Sequence, residues 1–138
     1  MNKSYTDLHG NVLYLTESEL TWFKSVCDKC IKATRINISI ECDNHELTYK
    51  GTKGSEALGI LITDSPKNPL DGNLKITIDT YFIHECYEEK FNNGFNLNFE
   101  SLEHVIAHEL AHTIQWRHCK RHTRITEELY NKIMEYSD

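Results

Sequence analysis

No apolar run in this chain approaches the roughly 20 residues of a membrane-spanning helix, so none is expected. The first residues, Met1 to Asp7, hold no apolar stretch. No signal peptide is therefore expected, and the cytoplasm is the expected location. Proline occurs only twice, at Pro66 and Pro69 in one turn-rich segment. There are no repeats, no low-complexity tract and no internal linker, so 138 residues are read as one domain with one modest core. Cationic excess is also missing. A formal net charge of −6 speaks against broad nucleic-acid binding by the whole surface.

Cysteine is present but not in the pattern of a disulfide framework. Five thiols make an odd number, scattered through the chain, and reduced cysteines are expected. Cys27-Asp28-Lys29-Cys30 is a CxxC without the second pair that a zinc ribbon needs. It falls inside a helical pattern, and core thiols are the expected role.

The chain reads as α+β: an N-terminal helix, about three strands, a central helix and a C-terminal helix. Thr16-Glu17-Ser18-Glu19 is a capping box that opens a helix over 17–33, with Leu20, Phe23, Cys27, Cys30 and Ile31 on its buried face. Val12, Leu13 and Leu15 are expected to tuck against the body ahead of it. Alternation predicts strands over 35–41, 57–63 and 74–82. Gly59 within the second strand allows a bulge or a close backbone approach. The segment 43–55 reads as a loop or short hairpin. A short helix is expected near 83–90 and a loop over 91–97. The central helix runs from about Asn98 to about Trp116, capped by Asn98 or Ser101. The last helix starts at Thr126, with Leu129, Ile133 and Tyr136 as its docking stripe.

The chemistry lies in His108-Glu109-Leu110-Ala111-His112, an H-E-x-x-H on the central helix. Residues four apart sit only about 40° apart around a helix axis, so both imidazoles can reach one metal ion. Glu109 lies on the flank of that face, where it can take the proton of an attacking water. These are the working parts of a zinc-dependent peptidase, and Zn²⁺ is the expected cofactor. His104 sits one turn earlier on nearly the same face. Three ligands in a row on a straight helix do not close a tetrahedron, so His104 is expected to be hydrogen-bonded or solvated instead.

Several residues are candidates for the third ligand. His118 gives H-E-x-x-H-x-x-Q-x-x-H, the metzincin spacing with Gln115 where glycine is usual, and it requires the helix to break. His122 follows a stretch, Arg117 to Arg121, long enough to turn back. Glu127, Glu128 or Glu135 on the last helix could serve in the thermolysin manner.

Residues 108–121, His-Glu-Leu-Ala-His-Thr-Ile-Gln-Trp-Arg-His-Cys-Lys-Arg, resemble the active-site helix of SprT-like zinc metallopeptidases, the SprT and Spartan type. That family tends to carry an aromatic four residues after the second His, as Trp116 does here. The resemblance implies a small zincin-like fold and His122 as third ligand, followed by a final helix. Thr123 stands where the family has glycine, the turn is shorter, and the zinc-ribbon cysteines are absent. The specific match covers 108–136.

The mechanism expected is hydrolysis of a peptide bond, with His108, His112 and His122 (or His118) holding Zn²⁺ and Glu109 as general base. The strand over 57–63 could bind extended substrate by strand addition. Tyr130 or Tyr81 are candidates for oxyanion support. The SprT-like resemblance further implies action on DNA-associated proteins. Arg117, Lys120, Arg121 and Arg124, a run without acids, are the candidate weak DNA contact; the same run also suits a solvated helix end. The alternative function is a non-catalytic zinc-binding or regulatory protein on the same scaffold. A purely structural HExxH is the third reading. Bound zinc, and its dependence on these His, separates it from the other two.

Overall fold

Five strands and five helices form an α+β fold in the computed structural model, which describes residues 2–137. Strands β1 (Ser4–Thr6) and β2 (Val12–Tyr14) make a small antiparallel hairpin. Its buried anchors are Tyr5 and Leu15, whereas Val12 and Leu13 are exposed. The expected docking of Val12 and Leu13 is thus corrected: they belong to a strand that is exposed along its whole length.

Helix α1 (Glu17–Thr34) starts where the capping box predicts. The Thr16 hydroxyl accepts from the Glu19 amide at 3.1 Å, and the Glu19 carboxylate accepts from the Thr16 amide at 2.9 Å. Two orphan amides are satisfied at once. Arg35 ends the helix in the left-handed region, φ 60°. The chain therefore cannot enter a strand at Arg35, and β3 begins later, at Ser39–Asp43. Asn44 then caps a short helix, α2 (His45–Thr48), where only a loop or hairpin was expected.

Strand β5 (Leu74–Asp79) is central. It pairs in parallel with β3, Ile40 opposite Ile76, and antiparallel with β4 (Gly59–Thr63), Leu61 opposite Ile76. The order β3-β5-β4 leaves β4 at an edge. Beyond Asp79 the expected strand gives way to α3 (Thr80–Phe91), because Asp79 caps the Phe82 amide. Thr80, Tyr81 and Phe82 favour a strand on propensity alone, but the cap outweighs it.

Helix α4 (Leu102–His112) is capped by Ser101, whose hydroxyl accepts from the His104 amide at 3.1 Å. Its apolar face, Leu102, Ile106 and Leu110, is fully buried, and the helix packs on β4, β5, α1 and α5. Helix α5 (Lys120–Glu135) starts six residues before Thr126. Thr126 is therefore not its cap: it is buried in mid-helix, with its hydroxyl donating to the His122 carbonyl. Ile125, Leu129 and Ile133 dock this helix; burying each such side chain is worth about 1.5–3 kcal/mol.

The expected core role of the CxxC holds. Cys27 and Cys30 are buried, as are Cys42 and Cys86, and all five thiols are free. No helix among the described residues is long and apolar enough to cross a membrane.

Candidate metal centre

Helix α4 ends at His112 rather than near Trp116, and this early stop builds the site. The last turn tightens: Thr113 and Ile114 amides reach back to Leu110 and Ala111 at 3.0 Å, and the Gln115 amide shares the Ala111 carbonyl at 2.8 Å. The Thr113 hydroxyl also donates to the Leu110 carbonyl, at 2.6 Å. No residue of 113–119 adopts a positive φ. The break that glycine would ease is made instead by side-chain and tightened backbone hydrogen bonds. The freed chain folds back and enters α5 at Lys120.

This return carries His118 over the helix. Its Nε2 lies 3.2 Å from His108 Nε2 and 3.0 Å from His112 Nε2. A donor hydrogen can serve only one of these two contacts, so the remaining lone pairs face one another. Such crowding suits a cation. Tetrahedral ligands at the usual Zn–N distance of about 2.0–2.1 Å stand about 3.3 Å apart, a spacing that both His118 contacts approach. The Nδ1–H of His112 donates to the Gln115 carbonyl at 3.3 Å, which leaves the Nε2 lone pair facing the cluster.

His122 also reaches the cluster, from the first turns of α5. One nitrogen of each of His108, His112 and His122 falls within 4.8 Å of the others. Its orientation differs. His122 Nε2 donates to the His108 carbonyl at 3.0 Å, and its ring stacks on His112 with centroids 3.9 Å apart and planes 24° apart. Ligand lone pairs lie in the ring plane, and two stacked rings cannot both aim theirs at one ion. His118 is exposed and lines the cleft, while His122 is 2% exposed and lies beneath it.

Glu109 is buried, and a carboxylate oxygen sits 3.9 Å from His108 Nε2. Burial alone pushes its pKa up to about 7, the range that suits a general base or acid near neutrality. Burial, then the neighbouring His112, His122, His118 and His104, pushes His108 down to about 4, so it is held neutral. The cleft, about 470 Å³, is walled by β4 on one side and by Trp116, Arg117 and His118 on the other. Gly59 provides the close approach: a Cβ there would meet Glu109 Cγ and Val105 Cγ1 at 3.0 Å. The strand runs on without a bulge.

The remaining candidates are placed elsewhere. His104 is hydrogen-bonded, as expected, to Glu100 at 2.7 Å and to Glu127 at 3.1 Å. Glu128 and Glu135 are exposed on α5 and are not grouped with the His cluster. Tyr130 packs edge-on against His104 and Tyr81 stacks on Tyr5; neither lines the cleft. Of the basic run, Arg117 lines the cleft, Arg121 donates to the Gln115 side chain at 2.7 Å, and Lys120 and Arg124 are exposed. A second grouping, Glu19, His84 and Glu88, has Glu19 already engaged by the Thr16 amide and by His84. The sequence placed Arg117 in the basic run that follows the H-E-x-x-H, and of that run Arg117 is the residue that lines the cleft.

No protein-family model matches the chain, and no solved structure matches it.

Proposed function

We propose that this protein is a zinc-dependent metallopeptidase whose ion is held by His108, His112 and His118. The observation that carries this reading is the approach of His118 Nε2 to both His108 Nε2 and His112 Nε2, beside a buried carboxylate. Zinc supplies Lewis acidity, which acidifies water and polarises a carbonyl. The chain's own residues do the rest. Glu109 takes the proton of the attacking water on its carboxylate and returns it to the leaving amine, the role that its place beside the His cluster allows. The free edge of β4 offers backbone groups to an extended substrate lying along the cleft. His122 holds the His108 carbonyl and backs the His112 ring, a positioning role.

The resemblance of residues 108–121 to SprT-like metallopeptidases supports the same activity, with Trp116 lining the cleft. The choice of His118 over His122 departs from that family's pattern. Action on DNA-associated proteins rests on the resemblance and on Arg117 in the cleft lining, with Lys120 and Arg124 exposed further along the chain; stimulation of cleavage by single-stranded DNA at low salt tests it. Four buried free thiols suit a reducing compartment such as the cytoplasm.

The experiment is zinc content and protein cleavage by the native chain and by Glu109→Gln. We expect equal zinc and a loss of roughly 10²–10⁴-fold in cleavage rate. Full activity in the zinc-loaded variant would sink the mechanism. Zinc without cleavage in the native chain would point to the non-catalytic role.

A further inference from the structure

The cleft is one section of a longer trough. On one side it shares Gly59, His108 and Glu109 with a smaller cavity of about 260 Å³, bordered by Glu100 and His104. On the other it shares Trp116 and Arg117 with a depression of about 460 Å³ that runs on to Lys67, Leu70 and Ile114. The two arms differ in chemistry. On the first, the Glu100 carboxylate is already paired with His104. On the second, Leu70, Ile114 and Trp116 are 37%, 43% and 37% exposed, and they form an apolar floor. Arg117 and Lys67 line the same depression, both exposed, and neither makes an ion pair with any described residue. Asp71 is the carboxylate that also borders this arm, and it too is unpaired.

Two cations against one carboxylate leave this arm net positive beside its apolar residues, and the complement of such a surface is acidic and apolar. We propose that this arm is a substrate subsite selecting a polypeptide segment in which a large apolar residue neighbours an acidic one, with Arg117 as the specificity-determining residue. This rests on the peptidase reading for the position of the scissile bond. The selectivity itself comes from the trough. Arg117 gives the geometric basis: it lines both the central cleft and the arm, so a carboxylate that reaches it lies where the arm meets the cleft of the His cluster. Its planar guanidinium can grip a carboxylate through two parallel hydrogen bonds.

The test uses the full chain with equimolar zinc and two fluorescein-labelled decapeptides of equal length and aromatic content. One carries Glu beside Phe or Leu, the other Lys at the same positions. Anisotropy at low ionic strength should show the acidic peptide bound at least about fivefold more tightly, as one or two exposed ion pairs allow, with the preference fading as salt rises. Arg117→Glu should reverse the preference, and Lys67→Glu should reduce it. Equal affinity for the two peptides in the native chain, or an unchanged preference in Arg117→Glu with native circular dichroism, overturns the proposal. Cleavage of the same peptides, followed in parallel, separates the two ideas. Charge-selective binding without cleavage retains the subsite and removes the peptidase; cleavage without charge preference does the reverse.

Discussion

At Gly59 a single added methyl group would meet three atoms at once: Glu109 Cγ and Val105 Cγ1 at 3.0 Å and Ile78 Cδ1 at 3.2 Å. Overpacking of this kind costs about 1–3 kcal/mol. Gly59→Ala should lower thermal stability and move the Glu109 carboxylate, so cleavage falls while zinc, held by other residues, stays bound. His118 and His122 make a second single-residue comparison. Loss of a direct ligand should cost more than the 10–100-fold in affinity typical of a residue that orients one. A competition titration against a chromophoric chelator should therefore rank His118→Ala below His122→Ala. The opposite ranking would make His122 the ligand.

Among the elements, α4 and α5 were both legible as helices, but their facing ends were not. Sequence periodicity continues through Thr113 and Ile114, so it extends α4 past His112. The hydrogen bonds that stop it are local competitions between the Thr113 hydroxyl, the tightened amides and the helix ladder. The start of α5 was hidden for the complementary reason: Cys119 caps it without a side-chain hydrogen bond, whereas Thr126 looks like a cap and is not one. The H-E-x-x-H needed no such detail, because two His at helical spacing share a face whatever ends the helix. The third position depends on the turn, so the residues alone leave it open, and only the family resemblance favours His122 over His118. The same pair of helices carries a pH signature. Burial lowers the His104 pKa, but the hydrogen bonds and charges of Glu127 and Glu100 outweigh it, and the net shift is upward. A raised folded-state value means that the contribution is complete below about pH 6.5, the unfolded value. It is lost as pH rises through the higher folded one. His104→Gln should flatten the stability profile in that window, measured by urea unfolding at successive pH values.

For the molecule as a whole, the proposed zinc site would tie metal binding to folding. In metal-free protein His108 accepts a proton only near about pH 4, while in the unfolded chain it does so near 6.5. Between those values the unfolded state binds more protons, so the metal-free fold weakens as pH falls through the window. Zinc should raise the midpoint of thermal unfolding by roughly 10 °C at concentrations far above its dissociation constant. That gain should vanish on acidification, as protons displace the ion; scanning calorimetry with and without a chelator checks both.

The distribution of the five thiols has a practical consequence. Burial pushes Cys30 up to about 12 and Cys42 up to about 11, and it raises Cys27 and Cys86 as well. Cys119 alone among them is exposed, next in sequence to His118. A maleimide dye should therefore attach to the native protein at one equivalent, and to the urea-unfolded chain at five. The folded protein thus comes with a single chemical handle next in sequence to the cleft residue His118, where a fluorophore should report the arrival of metal or peptide without any engineered cysteine.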